Sequence, residues 1–410
     1  MINISGVSES RVAPVAANML KEKSQCLIIT AGPERARRLA ADLSFFISDR
    51  QIMALPEEEQ LFLKYDAKDQ DRLIRRMKAV KALVTGAPVI VIAPCFAAVK
   101  KMMPASVLRD DIIRISQGDE MDPEELRGRL TRMGYEYAGM VEGPGQFAAR
   151  GGILDIFTPD MENPCRIEFF GTEIDSIRSF DKDSQRSISA EDDIFIYPAR
   201  QICASAAAMA AAEKEIRKEY GRQAAKLEKT NREAASRIRG LEERICDHIE
   251  NGTNAQFLEN YIHYFYEKPE HIWDYMTCGC IMLDDPERIF ENLDLRETEM
   301  REDFKILLER GEAVPKDSAV ISGFDDLRDV LSRRDTVIFT PFAKRIKGID
   351  TFDEIHNIHS RQMINFSGNM TLLASEIRSY VKKGYEITIA LSTEERLENI
   401  RDFASRQGFE

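Results

Sequence analysis

Between Glu142 and Ser187 the chain reads as short alternating stretches, and this block constrains the fold more than any other part. In Arg166-Ile167-Glu168-Phe169-Phe170, a strand period of two puts Ile167 and Phe169 on one face and Arg166, Glu168 and Phe170 on the other. A large aromatic beside an arginine, on the face away from the core pair, has the composition of a protein-binding hot spot. Phe147 to Thr158 reads as a preceding strand, Pro159-Asp160 and Asn163-Pro164 as turns, and Cys165 to Phe180 as the return. With a short helix over Pro123 to Met133, these elements predict a small α+β domain from about Asp119 to Pro198. Arg150-Gly151-Gly152 interrupts the first strand pattern and predicts a bulge or a close backbone approach. A rough register then sets Arg150 across from the neighbourhood of Phe170. Periodicity leaves two arrangements open: Arg150, Arg166 and Phe170 form one exposed patch, or Phe170 is core and the arginines pair with Glu168 or Glu173.

The flanking sequence has a different character. Cys26 to Thr30 and Val89 to Ala93 are apolar nearly throughout, with helical patterns over Glu34 to Phe46 and Ala67 to Val84 between them. Such strands indicate a parallel sheet covered on both faces. Strand-like runs return at Cys280 to Leu283 and Val337 to Thr340. Ala204 to Glu250 is helical with a poor heptad pattern and possible breaks at Gly221 and Gly240, which favours a long helix or hairpin packed on the first domain over a coiled coil. Beyond about residue 360 come a helix over Thr371 to Lys382, a strand over Glu386 to Leu391 and a helix over Thr393 to Gln407.

At 410 residues the chain is too long for one core. The expected domains are 1–118 (α/β), 119–200 (α+β), 201–355 (long helices and more α/β) and 356–410 (a small α/β unit). The net charge of −13 argues against a chain whose main task is gripping phosphates. No apolar run is long enough to span a membrane, which implies a cytoplasmic protein, with a monomer as the default. Seven cysteines without paired CxxC spacing fit reduced thiols.

Ile2 to Arg11 has the outline of a strand entering a phosphate loop and helix, but only Gly6 is in place. Arg11 stands at the second glycine position, and Val12 and Ala13 stand where the phosphate-neutralising Lys and magnesium-holding Ser/Thr belong. ATP binding is not expected here. Asp284-Asp285, after the apolar strand at Cys280, resembles the acidic box of a nucleotide hydrolase, yet without a phosphate loop Asp284 or Asp285 is expected to cap a helix near Pro286. Cys278-Gly-Cys280 and His356-x-x-His359 each offer two ligands only, so no metal is predicted. No GxSxG elbow is present.

The run GPGQFAARGGILDIF…NPCRIEFFGTEIDSIRSFDKDSQRSI closely resembles the second domain of the bacterial transcription-repair coupling factors, a domain shared with the excision-repair protein UvrB. Gly6 to Leu20, Cys26 to Phe46, Arg72 to Pro104 and Phe257 to Asp294 are similar to that family's first domain, and the stretch from about 360 to the start of its third. The resemblance implies a helicase-like α/β domain in two halves with a degenerate phosphate loop, interrupted by a UvrA-binding α+β domain. It also implies that nucleotide binding is lost and that UvrA contacts fall on Arg150, Arg166 and Phe170, which favours the exposed patch. Nothing matches the family's RNA-polymerase-interacting domain, its ATP-driven translocase motor or its carboxy-terminal domain. The chain therefore reads as an amino-terminal piece of a longer protein, with ATP, magnesium and RNA polymerase belonging to domains outside it and with DNA contacts weak or indirect. The rival reading is an ATP-dependent DNA translocase or helicase-type enzyme.

Overall fold

Strands that are apolar along their whole length need cover on both faces, and the computed structural model places them in the middle of a parallel sheet. The structure describes residues 1–7, 9–57, 70–251, 255–320, 324–349, 351–359, 366, 368–389, 391 and 393–409. They fall into two compact units, Met1–Asn357 and Ile358–Glu410.

The parallel sheet has seven strands: β1 (Ile2–Ser5), β2 (Gln25–Thr30), β3 (Gln51–Ala54), β4 (Val89–Pro94), β13 (Cys280–Asp284), β14 (Thr336–Thr340) and β15 (Glu354–Asn357). Their order is β15-β1-β14-β13-β2-β4-β3. Every residue of β2, β4, β13 and β14 is buried. Strands from the two ends of the unit's sequence interleave, because β1 lies between β15 and β14 and β13 pairs with β2 (Cys26 opposite Cys280, Ile29 opposite Leu283). The expected return of α/β structure after residue 280 is thus part of the same sheet. The helix expected over Ala67 to Val84 spans Gln70–Val84, and Ala67 to Asp69 lie outside the described residues.

Between the two sets of strands the Ala204 to Glu250 segment forms two helices, Ala206–Leu227 and Arg232–Asn251. Arg217 meets Glu250 at 3.1 Å and Arg239 meets Glu228 at 2.9 Å, so the pair is an antiparallel hairpin. The chain breaks at Asn231, whose side chain accepts from the Ala234 amide at 3.1 Å, while Gly221 and Gly240 remain helical. A side-chain cap marks a helix start more firmly than one glycine marks a break. Ile216, Tyr220, Ile238 and Ile245 share a core with Leu27, Ile29 and Val91 of the sheet.

The inserted segment builds a second, six-stranded sheet in the order β11-β10-β9-β8-β7-β6. Its strands are β6 (Glu136–Tyr137), β7 (Gln146–Arg150), β8 (Ile153–Phe157), β9 (Cys165–Phe170), β10 (Glu173–Phe180) and β11 (Ser187–Ala190). Only the β6–β7 pair is parallel. At the base of the insertion β5 (Ile113–Ser116) pairs antiparallel with β12 (Asp193–Ile196). The helix Pro123–Arg132 starts at Asp122, whose carboxylate accepts from the Glu124 amide, and it sets Leu126 and Leu130 against Leu154, Ile156, Ile167 and Ile177.

In the second unit Asn369 caps the helix Met370–Lys382 by accepting from the Leu372 amide, and Thr393 caps the helix Glu394–Gln407. The strand expected over Glu386 to Leu391 is not found among the described residues there. A strand needs a neighbouring ladder, and the described part of this unit offers none. No described helix of the chain is long and apolar enough to cross a membrane.

Candidate partner-binding site

The alternation along β9 resolves as the period requires. Cys165 and Ile167 are buried and Phe169 packs against the same core, while Arg166, Glu168 and Phe170 take the opposite face. The Phe170 ring is 81% exposed, far more than a core role allows.

Arg150-Gly151-Gly152 is not a bulge in one long strand. It ends β7 and turns the chain in two residues into β8, with Arg150 opposite Ile153. Gly151 has φ +59°, which favours glycine, and a Cβ on Gly152 would lie 2.7 Å from the Phe169 carbonyl oxygen. Likewise Cys165 to Phe180 is two strands, turning at Gly171-Thr172 with Phe170 opposite Glu173. The two hairpin tips lie side by side, and the Phe169 amide donates to the Gly152 carbonyl at 2.7 Å. The expected register is therefore corrected. Arg150 does not face Phe170 directly; β8 runs between, with Ile153 opposite Glu168, two residues before the ring.

This outer face is closed at one end and open at the tips. Ala148 and Phe157 are buried beneath Val141. Arg166 lies over the Phe180 ring, 4.6 Å from its centroid, and donates to Asp155 through Nε at 2.7 Å and Nη2 at 2.8 Å. Nη2 also donates to Gln185 at 3.1 Å, whereas Nη1 has no partner among the described residues. The hydrogen bonds to Asp155 raise the Arg166 pKa further, outweighing its partial burial. Arg150 donates through Nη2 to the Gly139 carbonyl and has no carboxylate partner among the described residues. Neither arginine pairs with Glu168 or Glu173, the pairing that an internal role would need. Glu168 instead accepts from Ser176 at 2.8 Å and Arg178 at 3.2 Å. Asp155 and Ile153 escaped the sequence reading because one strand was drawn across the two glycines. The Arg-Gly-Gly turn followed by alternating Ile153, Asp155 and Phe157 is the signal that could have found them.

At the carboxyl edge of the parallel sheet, Gly6 follows β1 with φ +80° and the helix Glu9–Met19 begins, while Ser8 lies outside the described residues. Val12 and Ala13 are each 1% exposed and belong to the core, and Arg11 is half-buried. Asp284 does not cap the next helix. Its buried carboxylate pairs with the Arg35 guanidinium, which also donates to the Glu9 carbonyl at 2.9 Å. Burial pushes the Asp284 carboxyl above its ordinary range, and Arg35 opposes that shift. Asp285 holds the N-cap position with φ +62° but makes no side-chain cap bond; Arg288 lies 3.9 Å from it and 3.2 Å from Glu9. Here the charges neutralise one another.

Cys280 Sγ lies 3.8 Å from Cys26 Sγ, Cys278 is exposed, and His356 meets Glu354 at 2.9 Å. No group of three or more His, Cys, Asp or Glu side chains among the described residues could hold a metal ion.

Residues 113–201, the whole inserted domain, match the family described as the UvrB interaction domain. The likeness read from the sequence is borne out. Over 404 residues, 98% of the chain is 30% identical to the transcription-repair-coupling factor of Bacillus subtilis. Similar coverage relates it to the transcription-repair-coupling factors of Staphylococcus epidermidis, at 26% identity, and Staphylococcus aureus, at 25%. The chain spans about a third (34%) of the length of these relatives.

Proposed function

We propose that this chain is the docking module of a transcription-repair coupling factor, recruiting UvrA so that stalled transcription is handed to nucleotide excision repair. The observation that carries the reading is the solvent-exposed Phe170 ring, on one sheet face with Arg150 and Arg166, inside the segment that matches the UvrB interaction domain. Phe170 would fill an apolar hollow on UvrA. Arg150 and the free Nη1 edge of Arg166 would donate charge-assisted hydrogen bonds to acidic groups beside it. The Asp155 pair holds the Arg166 guanidinium in place before the partner arrives, which lowers the entropy lost on binding.

On this reading the seven-stranded sheet is a helicase-like domain in two halves, kept as a scaffold after losing its nucleotide site. It needs no cofactor. ATP, magnesium, translocation along DNA and contact with RNA polymerase belong to the remainder of the longer protein, and this module is a cytoplasmic monomer with little DNA affinity of its own. Support comes from Val12 and Ala13, apolar and buried at the positions of the phosphate-loop Lys and Ser/Thr, and from Asp284, whose carboxylate is committed to Arg35. Mg-ATP is expected to produce no thermal shift, and DNA no ATPase activity.

Alanine at Arg150 or Arg166 is expected to weaken UvrA binding by about 1 to 3 kcal/mol without unfolding the domain. Titration of UvrA against the triple alanine variant of Arg150, Arg166 and Phe170 is the direct test; unchanged affinity would end the proposal.

A further inference from the structure

Nothing in the family resemblance assigns a role to β8, the strand that separates Arg150 from Arg166 and Phe170. We infer that β8 forms the centre of the docking surface, with Ile153 touching the partner and Asp155 acting as the positioning residue for Arg166. This rests on the reading of the face as a UvrA site.

Ile153 is 40% exposed on the same face as Phe170, although a β-branched apolar residue on a central strand normally finds cover. It has Arg150 directly opposite on β7 and Glu168 directly opposite on β9. Phe170 is its diagonal neighbour, a separation that an aromatic side chain spans. The latch between the Phe169 amide and the Gly152 carbonyl, at 2.7 Å, fixes the two hairpin tips against each other. Ile153 and Phe170 are therefore exposed diagonal neighbours on one face, an apolar surface with Arg150 at its flank. Its complement is an apolar hollow with a carboxylate on one lip. Arg150, lacking a carboxylate partner of its own among the described residues, supplies the charge for that lip.

Asp155 faces the same way two residues on, and its two oxygens take Nε and Nη2 of Arg166. That bidentate grip leaves Nη1 as the outward donor and stops the guanidinium from turning. Asp155 itself is half-buried and acts on the partner only through Arg166.

Binding of UvrA to the 410-residue chain, followed by titration calorimetry with melting curves alongside, tests both roles. Ile153→Thr keeps the β-branch, and with it the strand preference, and is expected to weaken binding about ten-fold; Ile153→Glu weakens it further, each with melting unchanged. Asp155→Asn is expected to weaken binding about five-fold, and to add nothing when Arg166 is already alanine. Unchanged affinity in both Ile153 variants, beside a large loss in Phe170→Ala, overturns the role of Ile153 while the docking reading stands. An Asp155→Asn loss that adds fully to that of Arg166→Ala overturns the positioning role. If the Ile153 variants abolish self-association and spare UvrA binding, this surface is a contact between copies of this chain and the inference falls. If Phe170→Ala and Arg150→Ala also bind normally, the docking reading itself has failed.

Discussion

The parallel sheet and the six-stranded sheet of the larger unit treat charge in opposite ways. At the carboxyl edge of the parallel sheet, Arg35, Arg288, Glu9 and Asp284 are turned on one another, and apolar side chains stand where ligand-binding groups would be. On the inserted sheet, among the described residues, Arg150 has a backbone acceptor and no carboxylate partner, Nη1 of Arg166 has no partner, and an aromatic ring stands in solvent. A crevice whose charges are satisfied internally contributes to stability. A face whose donors and apolar surface are left open gives up some stability and gains the capacity to bind. Substitutions in the first region should therefore change folding and leave partner affinity alone, and those in the second should do the reverse.

The largest effect is expected from placing a lysine at Val12, the phosphate-loop position on the proposed reading. Val12→Lys buries an ammonium with no counter-ion and should cost about 3 to 5 kcal/mol in urea unfolding, with no gain of Mg-ATP binding. A stable variant that binds nucleotide would break the comparison. Next is Arg35→Ala, which leaves the Asp284 carboxylate buried and unpaired, at a cost of about 3 kcal/mol near neutral pH. Its pH dependence has a definite sign. Burial already raises the Asp284 pKa, and losing Arg35 raises it further. The carboxyl then protonates sooner as pH falls, so the penalty is greatest at neutral pH and shrinks towards acid. Denaturation midpoints of wild type and variant between about pH 4 and 7.5 check this, and UvrA affinity is expected to stay the same at neutral pH.

Much of this contrast was legible in the sequence, because it rests on period and on residue type. The two-residue period of β9 put Ile167 and Phe170 on opposite faces, the resemblance favoured the exposed one for Phe170, and the apolar runs at Cys26 and Val89 required a doubly covered sheet. What local patterns could not supply is pairing. The Arg166–Asp155 and Arg35–Asp284 ion pairs join residues 11 and 249 positions apart, and only the folded register brings them together. The hairpin at Gly151-Gly152 was missed because two glycines in a strand pattern serve equally as a bulge or as a tight turn. The strand expected over Glu386 to Leu391 is not found among the described residues, where no neighbour is available to pair with it.

The smallest effect sharpens the same distinction. His271, in the parallel-sheet region, lies 3.8 Å from Asp274 and 3.6 Å from Asp326. Burial alone would lower its pKa, but the two carboxylates more than reverse this and the pKa is raised. A folded pKa above the unfolded value of about 6.5 gives stabilisation that is complete below that pH and is lost as pH rises through the folded pKa. His271→Gln should flatten thermal stability between about pH 6 and 8, by no more than about 1.4 kcal/mol per unit of raised pKa, with UvrA affinity unaltered.

The interleaving of the parallel sheet also has a consequence for synthesis on the ribosome. β2 and β4 are made early, but β13, the neighbour of β2, emerges only after the whole insertion and helical hairpin, a delay of roughly ten seconds or more at ordinary translation speeds. During that interval the insertion can close through its own β5–β12 pair, while the edge of β2 waits, apolar and unzipped, for a strand not yet translated. A nascent chain halted only after Ile196 has cleared the ribosome, and before β13 is made, should accordingly protect the insertion from protease and leave the Cys26 to Thr30 edge open to chaperones.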